Sequence, residues 1–128
     1  MTDLGPCIHH PDEREEYPIA ERYRVLEVWN RPDDPAQSVA RARVAPGVTT
    51  RRHRLTGTIE RYLILAGRGR VEVGDLAPEY VGPGDLIYIP AGCPQRIANL
   101  GDTDLLFLAL CTPRFTQAAY EDLDPDPA

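Results

Sequence analysis

Gly47-Val48-Thr49-Thr50-Arg51-Arg52-His53-Arg54-Leu55-Thr56-Gly57-Thr58-Ile59-Glu60-Arg61-Tyr62-Leu63-Ile64-Leu65-Ala66-Gly67 is the stretch that decides the fold. It reads as a turn, a strand, a tight turn at Thr56-Gly57-Thr58, a second strand and another glycine turn. Side chains alternate along a strand, so Arg51, His53 and Leu55 share one face and Arg52 and Arg54 the other. On the second strand Glu60, Tyr62 and Ile64 stand together, opposite Arg61, Leu63 and Leu65. Both of its faces are largely apolar, which predicts burial on both sides. His53 and Glu60 come from neighbouring segments and can face one space. An imidazole and a carboxylate converging there can bind a metal; the alternative is an ordinary lining pair.

A second segment lies downstream, Gly84-Asp85-Leu86-Ile87-Tyr88-Ile89-Pro90-Ala91-Gly92-Cys93-Pro94-Gln95-Arg96-Ile97-Ala98-Asn99. Together the two resemble the cupin superfamily. The first cupin motif runs glycine, five residues, His-x-His, three or four residues, Glu, six residues, glycine. Gly47, His53, Glu60 and Gly67 fall at those spacings, with Leu55 where the second histidine belongs. The second motif runs glycine, five residues, Pro-x-Gly, two residues, His, three residues, Asn. Gly84, Pro90, Gly92 and Asn99 match it, with Gln95 in place of the histidine. The resemblance implies an all-β double-stranded β-helix, the cupin jelly-roll barrel. It says far less about function, because one fold hosts many chemistries.

Outward from these segments, strands recur with glycine and proline punctuation, as in a small sandwich or barrel. Tyr23 to Asn30 alternates, and places Glu27 on one face with Val25 and Trp29. A carboxylate there is costly unless paired, so Glu27 reads either as a salt bridge to an inward arginine or as a substrate or acid/base contact. Ser38 to Val44, Arg70 to Val73, Leu86 to Ile89 and Leu105 to Leu110 read as further strands. Thr112-Pro113 reads as a helix start, with Phe115, Ala119 and Leu123 at i, i+4 and i+8 on one face and Pro125-Asp126-Pro127 as the stop. The expected organisation is an N-terminal arm over 1–18, a cupin barrel over 19–111 and a short C-terminal helix and tail over 112–128. His9 and His10 in the arm read as solvated.

The 128 residues fit one domain with one core. No apolar run approaches the roughly 18 residues of a membrane span. Nor does Met1-Thr2-Asp3 begin a secretory signal, so a cytoplasmic location is expected. Cys7, Cys93 and Cys111 are an odd set without Cys-x-x-Cys spacing and read as free thiols. A net charge of −6 argues against a nucleic-acid partner. All fourteen basic residues are arginine, six of them between Arg51 and Arg70.

Within the cupin resemblance the inward set is His53, Glu60 and Gln95, which could hold one divalent Zn, Fe, Mn or Ni ion with open positions. Arg51 and Asn99 are expected to bind substrate beside Gln95, and Arg51 or the metal to polarise an acidic or carbonyl oxygen. Glu60 or Glu27 would shuttle a proton while Tyr62 positions the substrate. The chemistry implied is that of an isomerase or an oxygenase. The alternative is a metal-free cupin that captures a small anion through Arg51 without turnover. The apolar outer strands suggest a homodimer.

Overall fold

The computed structural model describes residues 4–124, and the expected stop at Pro125-Asp126-Pro127 lies outside the described residues. Two antiparallel sheets face each other across one core. The strands are β1 (Tyr17–Ile19), β2 (Tyr23–Trp29), β3 (Ser38–Val44), β4 (His53–Leu55), β5 (Ile59–Ala66) and β6 (Gly69–Val73). They continue as β7 (Glu79–Val81), β8 (Leu86–Ile89), β9 (Gln95–Asn99), β10 (Leu105–Thr112) and β11 (Tyr120–Asp122). One sheet has the order β1-β2-β3-β10-β5-β8 and the other β11-β4-β9-β6-β7. The all-β jelly roll expected from the sequence is therefore the fold.

The inward faces follow from alternation. On β5, Glu60, Tyr62 and Ile64 are buried, and on β9 so are Gln95, Ile97 and Asn99. Val44, Tyr62, Ile64, Ile89, Ile97, Leu105 and Phe107 form the heart of the core, with the Tyr62 and Phe107 rings 4.4 Å apart. Burial on both faces of β5 does not hold: Arg61 and Leu63 are half-buried and Leu65 is exposed. The second sheet covers only the inner face, so the apolar outer residues end at solvent. Gly67 is needed as glycine. Its φ is +83°, and a Cβ there would sit 2.5 Å from the Asp104 carbonyl oxygen.

The C-terminal helix is not formed. After the cis Thr112–Pro113 bond the chain stays extended at Thr116, makes one 3-10 turn over Gln117–Ala119 and enters β11. There Tyr120, Glu121 and Asp122 pair with Leu55, Arg54 and His53. The Thr56 and Leu123 amides add bonds to the Ala119 and Arg52 carbonyls. Backbone groups that a helix would satisfy internally are satisfied by the edge of β4 instead, and tertiary pairing overrides the local helix signal.

The N-terminal segment is tied to the outer face of the sheet by charge. Glu16, 11% exposed, accepts hydrogen bonds from Arg24, Arg41 and Arg43, while Arg41 also takes Glu13 and Arg43 takes Asp104. Burial alone would raise the Glu16 carboxyl, but the hydrogen bonds from Arg41, Arg43 and Arg24 outweigh it and hold it at about 2, against an ordinary 4.5. A carboxylate held below its unfolded value stabilises the fold above that value and loses the contribution as pH falls toward its folded one. Glu16→Gln should therefore lower unfolding free energy at neutral pH by roughly 2 kcal/mol, between the exposed and buried limits for ion pairs. In denaturant titrations the gap to wild type should close between pH 4.5 and about 2. A gap independent of pH would contradict the ionic account.

Candidate functional site

The inner faces of β2, β3, β5 and β10 meet β4 and the C-terminal segment around a cavity of about 240 Å³. β2 gives it Tyr23, Val25 and Glu27; β5 and β10 give Glu60 and Cys111; β4 gives His53 and Leu55. The wall is closed by Phe115, Tyr120 and Asp122, and by Glu21 from the turn before β2. Arg22 in that turn has φ +74°, so the chain reverses sharply at Glu21 and turns its carboxylate inward, where it is 4% exposed.

His53 is the centre of the constellation. Its Nδ1 lies 3.1 Å from Glu21 Oε2 and 3.1 Å from the Arg51 carbonyl oxygen. Both neighbours are acceptors, so Nδ1 carries the hydrogen whatever the charge of the ring. One hydrogen cannot satisfy two acceptors fully, and Glu21 Oε2 is left without a hydrogen bond of its own. Nε2 is then the nitrogen with a lone pair in the neutral ring. The Tyr120 ring stacks on the imidazole at 5.2 Å, and its hydroxyl donates to Glu21 Oε1. Burial disfavours the imidazolium, but the hydrogen bond and charge of Glu21, the Arg51 carbonyl and Glu60 together raise the His53 pKa above its ordinary value.

Glu60 is the second ionisable group. Gln95 Nε2 donates to its Oε1 at 2.8 Å, and the Cys111 thiol lies 3.6 Å from its Oε2. Burial raises its pKa, against the pull of His53, Gln95 and Cys111. The Cys111 thiol is itself pushed up by burial and by Glu60, which makes it a donor rather than a thiolate.

His53, Leu55 and Glu60 line the cavity; Gln95 does not, but its amide donates to Glu60 behind the wall, and Glu27 is exposed on the wall. Glu27 has no arginine partner among the described residues, so its expected salt bridge is absent. A register shift between Glu27 and Trp29 breaks the simple alternation. Three expectations are corrected. Arg51 does not line the cavity: it is buried, with Nε on Asp122 Oδ2 at 2.8 Å and Nη2 near the Asp124 carbonyl, so it is not a ready anion hook. Asn99 is fully buried and structural, donating to the Val44 and Thr103 carbonyls and accepting from the Gly101 amide. Tyr62 is packed in the core against Phe107 rather than at the cavity. Sequence reasoning missed Glu21 and Tyr120. Glu21 lies outside any strand alternation, and Tyr120 sits in the segment read as a helix.

Metal binding can be tested against these atoms. Among the described residues no group of three or more His, Cys, Asp and Glu side chains gathers as a metal site. The donors at hand are His53 Nε2, Glu60 and Gln95 Oε1, the last a buried oxygen without a partner. His53 and Glu60 line the cavity, whereas Gln95 lies behind its wall with its amide donated to Glu60.

Residues 40–111 match the Cupin domain family model. The chain belongs to the cupin family. An uncharacterized protein of Methanocaldococcus jannaschii is 36% identical over 88 residues, which are 69% of this chain and 70% of that protein. Among solved structures, a predicted oxalate decarboxylase from Thermotoga maritima superposes with a TM-score of 0.74 at 23% identity, covering 84% of this chain and 99% of that one. Streptomyces Pac13 with uridine gives 0.77 at 15% identity, covering 94% and 92%. CapF of Staphylococcus aureus gives 0.70 at 24% identity over 84% of this cupin, which spans only 34% of the CapF chain. At these identities the likenesses establish the shared fold. No helix among the described residues is long and apolar enough to cross a membrane.

The structural role of Asn99 yields a direct test. Asn99→Ala should cost roughly 2–4 kcal/mol in denaturant unfolding, since it orphans the buried Val44 carbonyl and two partly buried groups, the Thr103 carbonyl and the Gly101 amide. Ligand affinity, measured by titration where the variant is folded, should stay within about twofold of wild type. Weakened binding at unchanged stability would return Asn99 to the ligand site.

Proposed function

We propose that this cupin is a small-molecule enzyme of the proton-transfer type, with His53 and Glu60 as the acid/base pair and Glu21 as the residue that positions His53. The observation that carries the proposal is the arrangement at Nδ1. Nδ1 faces two acceptors, the Arg51 carbonyl and Glu21 Oε2, which keeps the hydrogen there and frees Nε2 of an imidazole that lines the cavity. Glu60, on the same wall, has a carboxyl biased toward its protonated form by burial. Two groups with opposite proton tasks in one cavity suit proton transfer next to a carbonyl.

In that reaction Nε2 removes a proton from the carbon beside a carbonyl. The C–H electrons form a carbon–carbon double bond while the carbonyl oxygen takes a proton from Glu60. Return of the imidazolium proton to the neighbouring carbon, as Glu60 recovers a proton from the adjacent hydroxyl, gives the isomer and restores both groups. Pac13, similar in fold, is described as a nucleoside dehydratase, another reaction on a small polar molecule.

A second reading rests on Gln95 Oε1, the buried oxygen without a partner. With His53 Nε2 and Glu60 it would hold one divalent ion, which would supply polarisation of a substrate oxygen. In either reading His53 and Glu60 keep their places at the cavity.

The test is carbon-bound deuterium uptake in D₂O from a panel of aldoses, ketoses, hydroxyketones and amino-substituted ketones, followed by NMR. Wild type should exchange at least one of them. His53→Asn and Glu60→Gln should each lose on the order of 100-fold or more in rate. Exchange unaltered by both variants would overturn the acid/base assignment. Metal analysis of protein purified without chelator separates the second reading: near-stoichiometric metal, lost in His53→Ala and Glu60→Ala, would support it, and metal-free active protein would remove it.

A further inference from the structure

We infer that the ligand of this cavity is a small organic cation, a protonated amine carried on an apolar or aromatic body, rather than the anion that the arginine-rich sequence suggests. The inference rests on the reading of the cavity as the ligand site and names the chemical class it takes.

Carboxylates predominate on the wall, where His53 is the one basic side chain among the described residues. Glu21, Glu27, Glu60 and Asp122 line it, and no arginine does, although the chain carries fourteen basic residues. Two of these carboxylates have partners, Glu21 with His53 and Asp122 with Arg51 behind the wall. Among the described residues Glu27 has no cationic side chain bonded to it, and Glu60, whose charge burial disfavours, adds acceptor oxygens to the wall. A bound anion would meet the unpaired Glu27, while His53, the basic group of the wall, is already held by Glu21; that cost rises as water is excluded.

The unsatisfied polar atoms point the same way, because they are acceptors. Asn30 Oδ1, on a residue lining the cavity, is buried without a hydrogen-bond donor, and Glu21 Oε2 has at most a share of the single Nδ1 hydrogen of His53. A ligand that completes this site brings N–H donors. Tyr17, Tyr23, Phe115 and Tyr120 add four aromatic rings to a wall that also carries Ile19, Val25 and Leu55. Aromatic faces attract a desolvated ammonium group and accommodate an apolar body. At about 240 Å³ the space lies just under the roughly 300–1,000 Å³ of drug-sized sites, which limits the ligand to a small molecule.

The test uses three probes of similar shape that differ in charge: benzylamine, benzyl alcohol and benzoate. Each is titrated into protein stripped with chelator and dialysed, with binding read by saturation-transfer NMR and by chemical shifts of the cavity residues. Benzylamine should bind at least about tenfold more tightly than benzoate, with benzyl alcohol between them. Glu27→Gln should narrow that ratio, and Glu27→Arg, exposed and tolerant of a longer side chain, should reverse it. Benzoate binding as well as or better than benzylamine, with Phe115→Ala abolishing it, would overturn the cation inference and leave the cavity as the ligand site. Failure of all three probes to shift any cavity residue at millimolar concentration would overturn the inference together with the reading beneath it.

Discussion

A buried carboxylate has to be paired, and the pairing of Glu21 holds this molecule's functional end together. Its two oxygens reach His53 on β4 and the Tyr120 hydroxyl on β11. A carboxylate that is 4% exposed cannot keep its charge at low cost without such partners. The turn before β2, the short strand β4 and the C-terminal strand are therefore mutually dependent. Arg51 reinforces the junction from outside the cavity by binding Asp122, the register partner of His53. The C-terminal segment is thus a wall of the site, contributing Phe115, Tyr120 and Asp122 to it.

The same junction explains what the site can do. Fixing the Nδ1 hydrogen between two acceptors orients the imidazole and assigns the free lone pair to Nε2. Glu60 sits on the opposing sheet with its charge disfavoured by burial. Cupins that bind metal through several imidazoles have their ligand positions filled differently here, with Leu55 and Gln95 at two motif positions. What remains is His53, backed by a carboxylate, and Glu60, the two residues we propose as the acid/base pair, in a cavity whose polar lining is mainly acidic.

Much of the fold was legible because it depends on local rules. Period-two alternation at β5 and the glycine at Gly67 are written in the chain, and Gly67 is required by the close approach of Asp104. The inward positions of His53, Glu60 and Gln95 follow from the same alternation. Other features depend on contacts distant in sequence. Whether Arg51 faces a ligand or Asp122 is decided 71 residues away, and whether Tyr120 is helical is decided by the open edge of β4. Asn99 looks like a ligand contact in a motif, yet its amide is used up on the Val44 and Thr103 carbonyls. Glu21 was invisible because its role comes from a turn at Arg22 rather than from a pattern.

The account is tested most directly by ¹⁵N NMR of the His53 ring in wild type and in Glu21→Gln. With the ring neutral at high pH, wild type should show a protonated Nδ1 and an unprotonated Nε2 as a single tautomer. In Glu21→Gln the pKa of the ring should fall, since the carboxylate that favours the imidazolium is gone. A wild-type ring protonated on Nε2, or a ring pKa indifferent to Glu21, would contradict the claim that this buried carboxylate sets the chemistry of the site.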